Sequence, residues 1–194
     1  MPTASRYGSF GNLYWQIRED WEANHRDWTK PGFRAVAVHR FGAILKDRKR
    51  GVLSWILSRL YRYIFRYIRN HYGIELPDTT IVGRRFQIGH QGGIVIHQNA
   101  VIGDDCIVIQ NVTIGAATIA RNLEAPKLGN RVEVGCGAAI LGKVVIGDDV
   151  RIGPNVVVTT DIPAGTTACA VPPRLIKLPK HGQSRTLSSR PEKE

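Results

Sequence analysis

The chain has 194 residues, 43% of them hydrophobic, and a formal net charge of +11. That length bounds it to one domain, or one domain with a helical annex, and the apolar content excludes disorder for most of it. No apolar run approaches the roughly 18 residues of a membrane span, and "MPTASRYGSFGN" lacks the apolar stretch of a secretory leader.

Taken in chain order, the first elements are helical and basic. "GNLYWQIREDWEANHRDW" and "GVLSWILSRLYRYIFRYIRNHYG" both show helical spacing, so residues 1–73 read as an α-helical segment. This segment holds 14 Lys and Arg against five acids, a net of +9, whereas residues 74–177 hold nine against nine. The basicity therefore belongs to the N-terminal third, and nucleic-acid binding, which has only the charge in its favour, is not expected. In the second helix Arg59, Arg62, Arg66 and Arg69 share one face, and Leu57, Leu60, Tyr61, Ile64 and Ile68 another.

The composition changes at "HYGIELPDTT". An aliphatic residue followed by Gly recurs from Val82-Gly83 to Ile152-Gly153. From Leu128 the count runs in sixes through Val134, Ile140, Ile146, Ile152 and Val158. Four residues after each comes a second small or aliphatic residue: Val132, Ala138, Val144, Val150, Val156, Ile162, with Ala100, Cys106, Val112 and Thr118 upstream. Residues two apart share a strand face, so Glu133 and Arg151, which lie between such pairs, are expected to point outward. The Gly after each strand is expected to permit a bend. Short strand, bend and short strand every six residues describe a parallel β-helix over 74–177. Residues 178–194, polar throughout, are expected to form a flexible tail.

Register breaks twice. Two extra residues sit in "GHQGG", between Ile88 and Ile96, and "GAATIARNLEAP" must leave the coil as a loop. Deviations in a solenoid are where sites tend to lie, and His90 and His97 both fall at the first. They lack a third ligand and a nearby carboxylate, so no metal site is expected. Cys106, Cys136 and Cys169 are odd in number and have no ligand spacing, which suggests a reducing compartment.

At these residues the sequence resembles the left-handed β-helix acyltransferases, specifically the serine acetyltransferase group. The segment "GHQGGIVIHQ" aligns with the family's D-H-A-T-G-x-V-V-G-E, "VTIG" with V-T-L-G, and "VGCGAAILG" with I-G-A-G-A-x-I-L-G. "AVPPRLIK" matches G-V-P-A-R, and "HRDWTKPGFRAVAVHR" looks like a compressed R-D-P…GFHA…YR. The resemblance implies a mainly β, left-handed parallel β-helix of hexapeptide repeats with an α-helical N-terminal segment. It also implies a homotrimer in which acetyl-CoA, as co-substrate, lies in a groove between subunits.

By that alignment His90 is the general base that deprotonates an acceptor hydroxyl; the rival is a partly buried structural His. Asp27 matches the family's R-D and would hold acceptor or base, or is an ordinary helix-end acid. Gly115, Cys136, Gly137 and Arg151 occupy positions along the coenzyme, and Arg174 and Lys177 those near its phosphates. His97 aligns with a family Gly, so a loop role is expected.

The departures from the pattern are specific. The family's Asp before the base is Gly89 here. The Arg and His that engage the amino-acid acceptor read Glu124 and Ala125, and a Glu repels a serine carboxylate. The acceptor expected is therefore an exopolysaccharide sugar hydroxyl, as in the colanic-acid type of acetyltransferase, which shares the short N-terminus and the "GRRF…H…VI…N" phrasing. Serine acetylation in cysteine biosynthesis is the alternative, and a non-catalytic scaffold the third. Without a C-terminal Ile, docking into cysteine synthase is not expected. The basic helix is expected to cap the β-helix or meet a neighbouring subunit with its arginines outward; a second reading lays it on an anionic membrane. The location implied is cytoplasmic, in that second reading at the inner face of the membrane.

Overall fold

The structure, a computed structural model, describes residues 10–46 and 51–176. Three helices come first: α1 (Phe10–Ala23), α2 (Pro31–Lys46) and α3 (Val52–Tyr72). α2 has Pro at its first position, where a missing N–H costs nothing, and buries eleven residues, among them Phe33, Val36 and Ile44. It has no polar stripe for periodicity to reveal, which is why sequence reading passes it over. α3 ends on Gly73 in left-handed backbone (φ 63°), whose N–H bonds Arg69 O at 3.1 Å.

A parallel β-helix follows. Sheet A stacks β1 (Ile74–Glu75), β4 (Ile94–Ile96), β7 (Thr113–Gly115), β10 (Ala139–Leu141) and β13 (Val157–Val158). Sheet B stacks β2 (Ile81–Val82), β5 (Val101–Ile102), β8 (Lys127–Leu128) and β11 (Val145–Ile146), and Ile162 continues it by a bridge to Ile146. Sheet C stacks β3 (Gln87–Ile88), β6 (Ile107–Val108), β9 (Glu133–Val134), β12 (Arg151–Ile152) and β14 (Thr167–Ala168). The chain visits B, C and A in turn, about five times.

The six-residue count sets the core. Val134, Ile140, Ile146 and Ile152, with Val132, Ala138 and Val150 four residues on, form one apolar column, while Glu133 and Arg151 face solvent. Each fully buried aliphatic side chain contributes about 1.5–3 kcal/mol. Thr118 departs from the pattern: it is exposed and opens a 3-10 turn (Ile119–Arg121), because the chain has already left the coil after Gly115.

The glycines act differently from expectation. At the B-to-C corners the left-handed backbone falls on Arg85, Asp105, Arg131 and Asp149 (φ 54–58°). The preceding glycines are needed for stacking: a Cβ on Gly83 would lie 2.3 Å from Gly103 O, and one on Gly103 2.2 Å from Gly129 O. The four left-handed residues pair along the axis, Arg85 with Asp105 and Arg131 with Asp149, the latter in a two-pronged contact of 2.6 and 2.7 Å. The first pair is half-buried and the second exposed, so solvent screening leaves each a small contribution to stability.

The helices are joined to the first coil by a buried polar network. Arg40 donates to Asp20 at 2.8 Å and to the carbonyls of Val82 and Gly83. Asp20 also accepts Phe86 N–H at 3.2 Å. Beside it His39 donates from Nδ1 to Pro77 O at 2.8 Å, and its Nε2 has no hydrogen-bond partner among the described residues. Burial first, and the Arg40 charge second, push the His39 pKa down to about 3. An unfolded His takes up a proton near pH 6.5, and the folded one does not. Stability is therefore whole above about pH 6.5 and falls by about 1.4 kcal/mol per pH unit as the pH drops toward 3. Thermal melts between about pH 7 and pH 5 should show a steep acid decline that His39→Gln flattens. Equal slopes in the two proteins would count against this account.

Candidate active site

His90 lies at the corner between sheets C and A. Corners of the same column, 109–111 and 135–137, take three residues, and this one takes five, residues 89–93. The two added residues are held by stacking: Gly92 O accepts Asn111 N–H at 2.8 Å, and Gly93 leaves room for the Asn111 side chain, which a Cβ would meet at 2.3 Å. His90 itself is exposed and makes no hydrogen bond within the described residues. Within 89–93 only the Gly89 N–H donates to a backbone carbonyl, that of Val108 at 2.9 Å. The N–H groups of residues 90–93 make no backbone hydrogen bond among the described residues. Gly89 is not sterically required, since a Cβ there meets nothing closer than 3.6 Å, so the family's Asp would fit.

His97 is at a different corner. It follows β4 at the A-to-B edge, with sheet A between it and His90. Its N–H bonds Ile114 O at 2.8 Å, its ring Nδ1 accepts Asn99 N–H at 3.1 Å, and its carbonyl receives Thr80 and Ala100. Only His90 therefore occupies the widened corner that sequence reading assigned to both.

Asp27 sits in the turn between α1 and α2, where Thr29 donates to it from its hydroxyl (2.6 Å) and its N–H (2.8 Å). Those bonds hold its carboxyl below the usual range. The helix this turn opens rests on the strand leading to His90: a Cβ on Gly32 would lie 2.2 Å from Ile88 O. On the other side Gly73, ending α3, abuts Gly92 and Gly93. The helices thus frame the corner, a relation no sequence spacing displays.

The positions assigned to the coenzyme do not all fall together. Cys136 and Gly137 are in the same corner column as His90, two coils on; Cys136 O accepts Asn155 N–H at 2.9 Å, and Gly137 N–H donates to Gln110 O at 3.0 Å. Arg151, 3.3 Å from Glu133, lines an open groove of about 1060 Å³ along sheet C with Gln87, Ile109, Gly135 and Thr167. Gly115 is at the opposite edge of sheet A, buried, its carbonyl bonded to Gly142 N–H at 2.8 Å, so it does not share that groove. Arg174 is exposed beyond β14, and Lys177 lies outside the described residues, as does the C-terminus on which the reading of cysteine synthase rests. Cys106 is buried, donates to Gly129 O, and has its thiol pushed up to about 11 by that burial, so it is no nucleophile.

A coil of hexapeptides with an imidazole at its widened corner defines a class, the hexapeptide-repeat acyltransferases. Residues 125–160 match the family described as bacterial transferase hexapeptide (six repeats). The chain belongs to the serine acetyltransferase family within that class: it is 40% identical over 138 residues to the serine acetyltransferase of Helicobacter pylori strain J99, spanning 71% of this chain and 77% of that one. It is 36% identical over 146 residues to that of Synechococcus elongatus, covering 57% of that protein. Among solved structures it is similar to serine acetyltransferase isoform 3 of Entamoeba histolytica in complex with cysteine, with a TM-score of 0.71 and 27% identity over 87% of this chain and 63% of that one. It is also similar to the soybean serine acetyltransferase complexed with serine, with a TM-score of 0.69 and 28% identity over 84% of this chain and 69% of that one.

These relatives overturn the exopolysaccharide acceptor and the likeness to colanic-acid enzymes: the curated neighbours, from Helicobacter to Mycobacterium tuberculosis, are serine acetyltransferases. The misleading signal was Glu124 and Ala125. Ala125 is buried and Glu124 half-buried, in a loop (residues 116–126) whose path the sequence alone does not set. No described helix is long and apolar enough to cross a membrane.

Proposed function

We propose that the chain is a serine O-acetyltransferase that transfers acetyl from acetyl-CoA to L-serine, with His90 as general base. One observation carries this reading: an exposed imidazole without internal hydrogen bonds, at the widened corner of a chain from this family. As the serine Oγ attacks the thioester carbon, its proton passes to the His90 ring. The N–H groups of the corner take the oxyanion, the C–S bond breaks, and the departing thiolate receives the proton from His90. No acyl-enzyme is needed.

The coenzyme lies along the groove of sheet C toward the corner of Cys136 and Gly137, with Arg151, Arg174 and Lys177 supplying charge for its phosphates. Gly115, at the far edge of sheet A, reaches a coenzyme only across a subunit boundary. His90 and loop 116–126 also leave opposite edges of sheet A, so a second copy in a homotrimer completes the site. With Glu124 in the loop, the serine carboxylate needs another cation. Arg121, exposed in the same loop and without an ion pair among the described residues, is the candidate. Asp27 acts through its turn, which carries α2 onto Ile88.

The test is thiol release from acetyl-CoA on adding L-serine, beside a panel of saccharides. Turnover with serine alone is expected, and Arg121→Gln should raise its KM with little change in kcat. Turnover only with saccharides would overturn the reading.

A further inference from the structure

We propose that the exposed face of α3 docks the protein on an anionic lipid bilayer, lying along its surface. This goes beyond the acetyl-transfer reading and does not depend on it. α3 packs inward on α2 and β1 through Tyr61 and Ile68, with Leu57, Ile64 and Tyr72 half-buried. Its outward face carries a second apolar stripe: Val52, Ile56, Leu60, Tyr63 and Tyr67, all between 45% and 79% exposed. At 100° per residue these five fall within about 80° of one another. Arg59, Arg62, Arg66 and Arg69 form the flanking stripe, and none of them meets a carboxylate among the described residues. Among these arginines Trp55 is exposed, with the Arg59 guanidinium 5.1 Å from its ring centre.

Charge decides the occupant. α3 contains four arginines and no Asp or Glu, so the same face of a second copy offers it no counter-charge. Nucleic acid would answer the arginines and could stack on Tyr63, Tyr67 and Trp55, but it offers nothing to Val52, Ile56 and Leu60. An anionic bilayer answers both, taking the aliphatic stripe and Trp55 at the acyl boundary and the guanidiniums among the phosphates.

The experiment floats the full-length protein with vesicles of phosphatidylcholine alone and with vesicles containing about one third phosphatidylglycerol. Binding is expected to the anionic vesicles and to weaken with salt. Arg59→Glu/Arg62→Glu/Arg66→Glu should lower the partition coefficient on the order of 100-fold. Val52→Ser/Ile56→Ser/Leu60→Ser, on exposed positions of the stripe, should lower it too, while thermal melts and acetyl transfer to dissolved acceptor stay as in wild type. The proposal fails if anionic vesicles are not bound or if the arginine variant binds them equally well. It also fails if the serine variant keeps full vesicle binding: a smaller particle by light scattering would then make the face an interface between copies, and equal retention of a DNA duplex would make it a polyanion site.

Discussion

His90→Ala should lower serine-dependent thiol release on the order of 100- to 10,000-fold, the range general-base catalysis supplies. The loss should fall on kcat, with the KM for acetyl-CoA close to wild type, because Cys136, Gly137 and Arg151, proposed to hold the coenzyme, lie on other coils. Two features of the structure make this a clean test. The side chain is exposed and bonded to nothing within the described residues, so its removal leaves no cavity and no orphaned group. The variant should therefore melt where wild type does, and coenzyme A should still raise its melting temperature by linkage. An unchanged rate would dismiss His90 as the base; a large fall in melting temperature would make it structural instead.

Arg40→Ala should cost about 3–5 kcal/mol of stability. Both partners of the Arg40–Asp20 pair are essentially inaccessible, at 2% and 1% side-chain exposure. Truncating one leaves a carboxylate buried without its cation and removes a donor from the Val82 and Gly83 carbonyls. Urea denaturation reads the loss directly as a lower midpoint. The double change Asp20→Leu/Arg40→Met should recover much of it, since replacing a buried pair by apolar side chains is often neutral. A single variant as stable as wild type would overturn the account. Because the pair anchors α1 and α2, and α2 rests on Ile88, Arg40→Ala should also lower acetyl transfer at temperatures where the chain is still folded.

The coil was legible residue by residue. In a β-helix every turn repeats one environment, so Leu128, Val134, Ile140 and their successors meet the same demand each time, and a count of six exposes it. The same logic located His90, because a two-residue excess between Ile88 and Ile96 is visible without coordinates. Thr118 failed it: a count continues on paper after the chain has left the coil. The glycines failed differently, since spacing places them after each strand but does not tell bending from stacking. α2 escaped because it is buried on nearly all sides. The acceptor was misjudged because Glu124 and Ala125 lie in a loop, where residue identity does not say which group meets the ligand.

By itself, then, the sequence determined the class of fold, the inward and outward faces of each strand, the widened corner and the imidazole on it, since all of these follow from period and local spacing. Tertiary structure alone decided that His97 closes another corner and that Gly115 and Arg151 lie on different sheets. It alone paired Arg40 with Asp20, brought Gly32 to rest on Ile88, and left α3 with a second apolar stripe facing outward. These are contacts between segments 20 to 62 residues apart in chain order, such as Arg40 with Asp20 and Asn24 with Phe86. A periodic code describes a residue's own coil, and it carries no information on which distant segment packs against it.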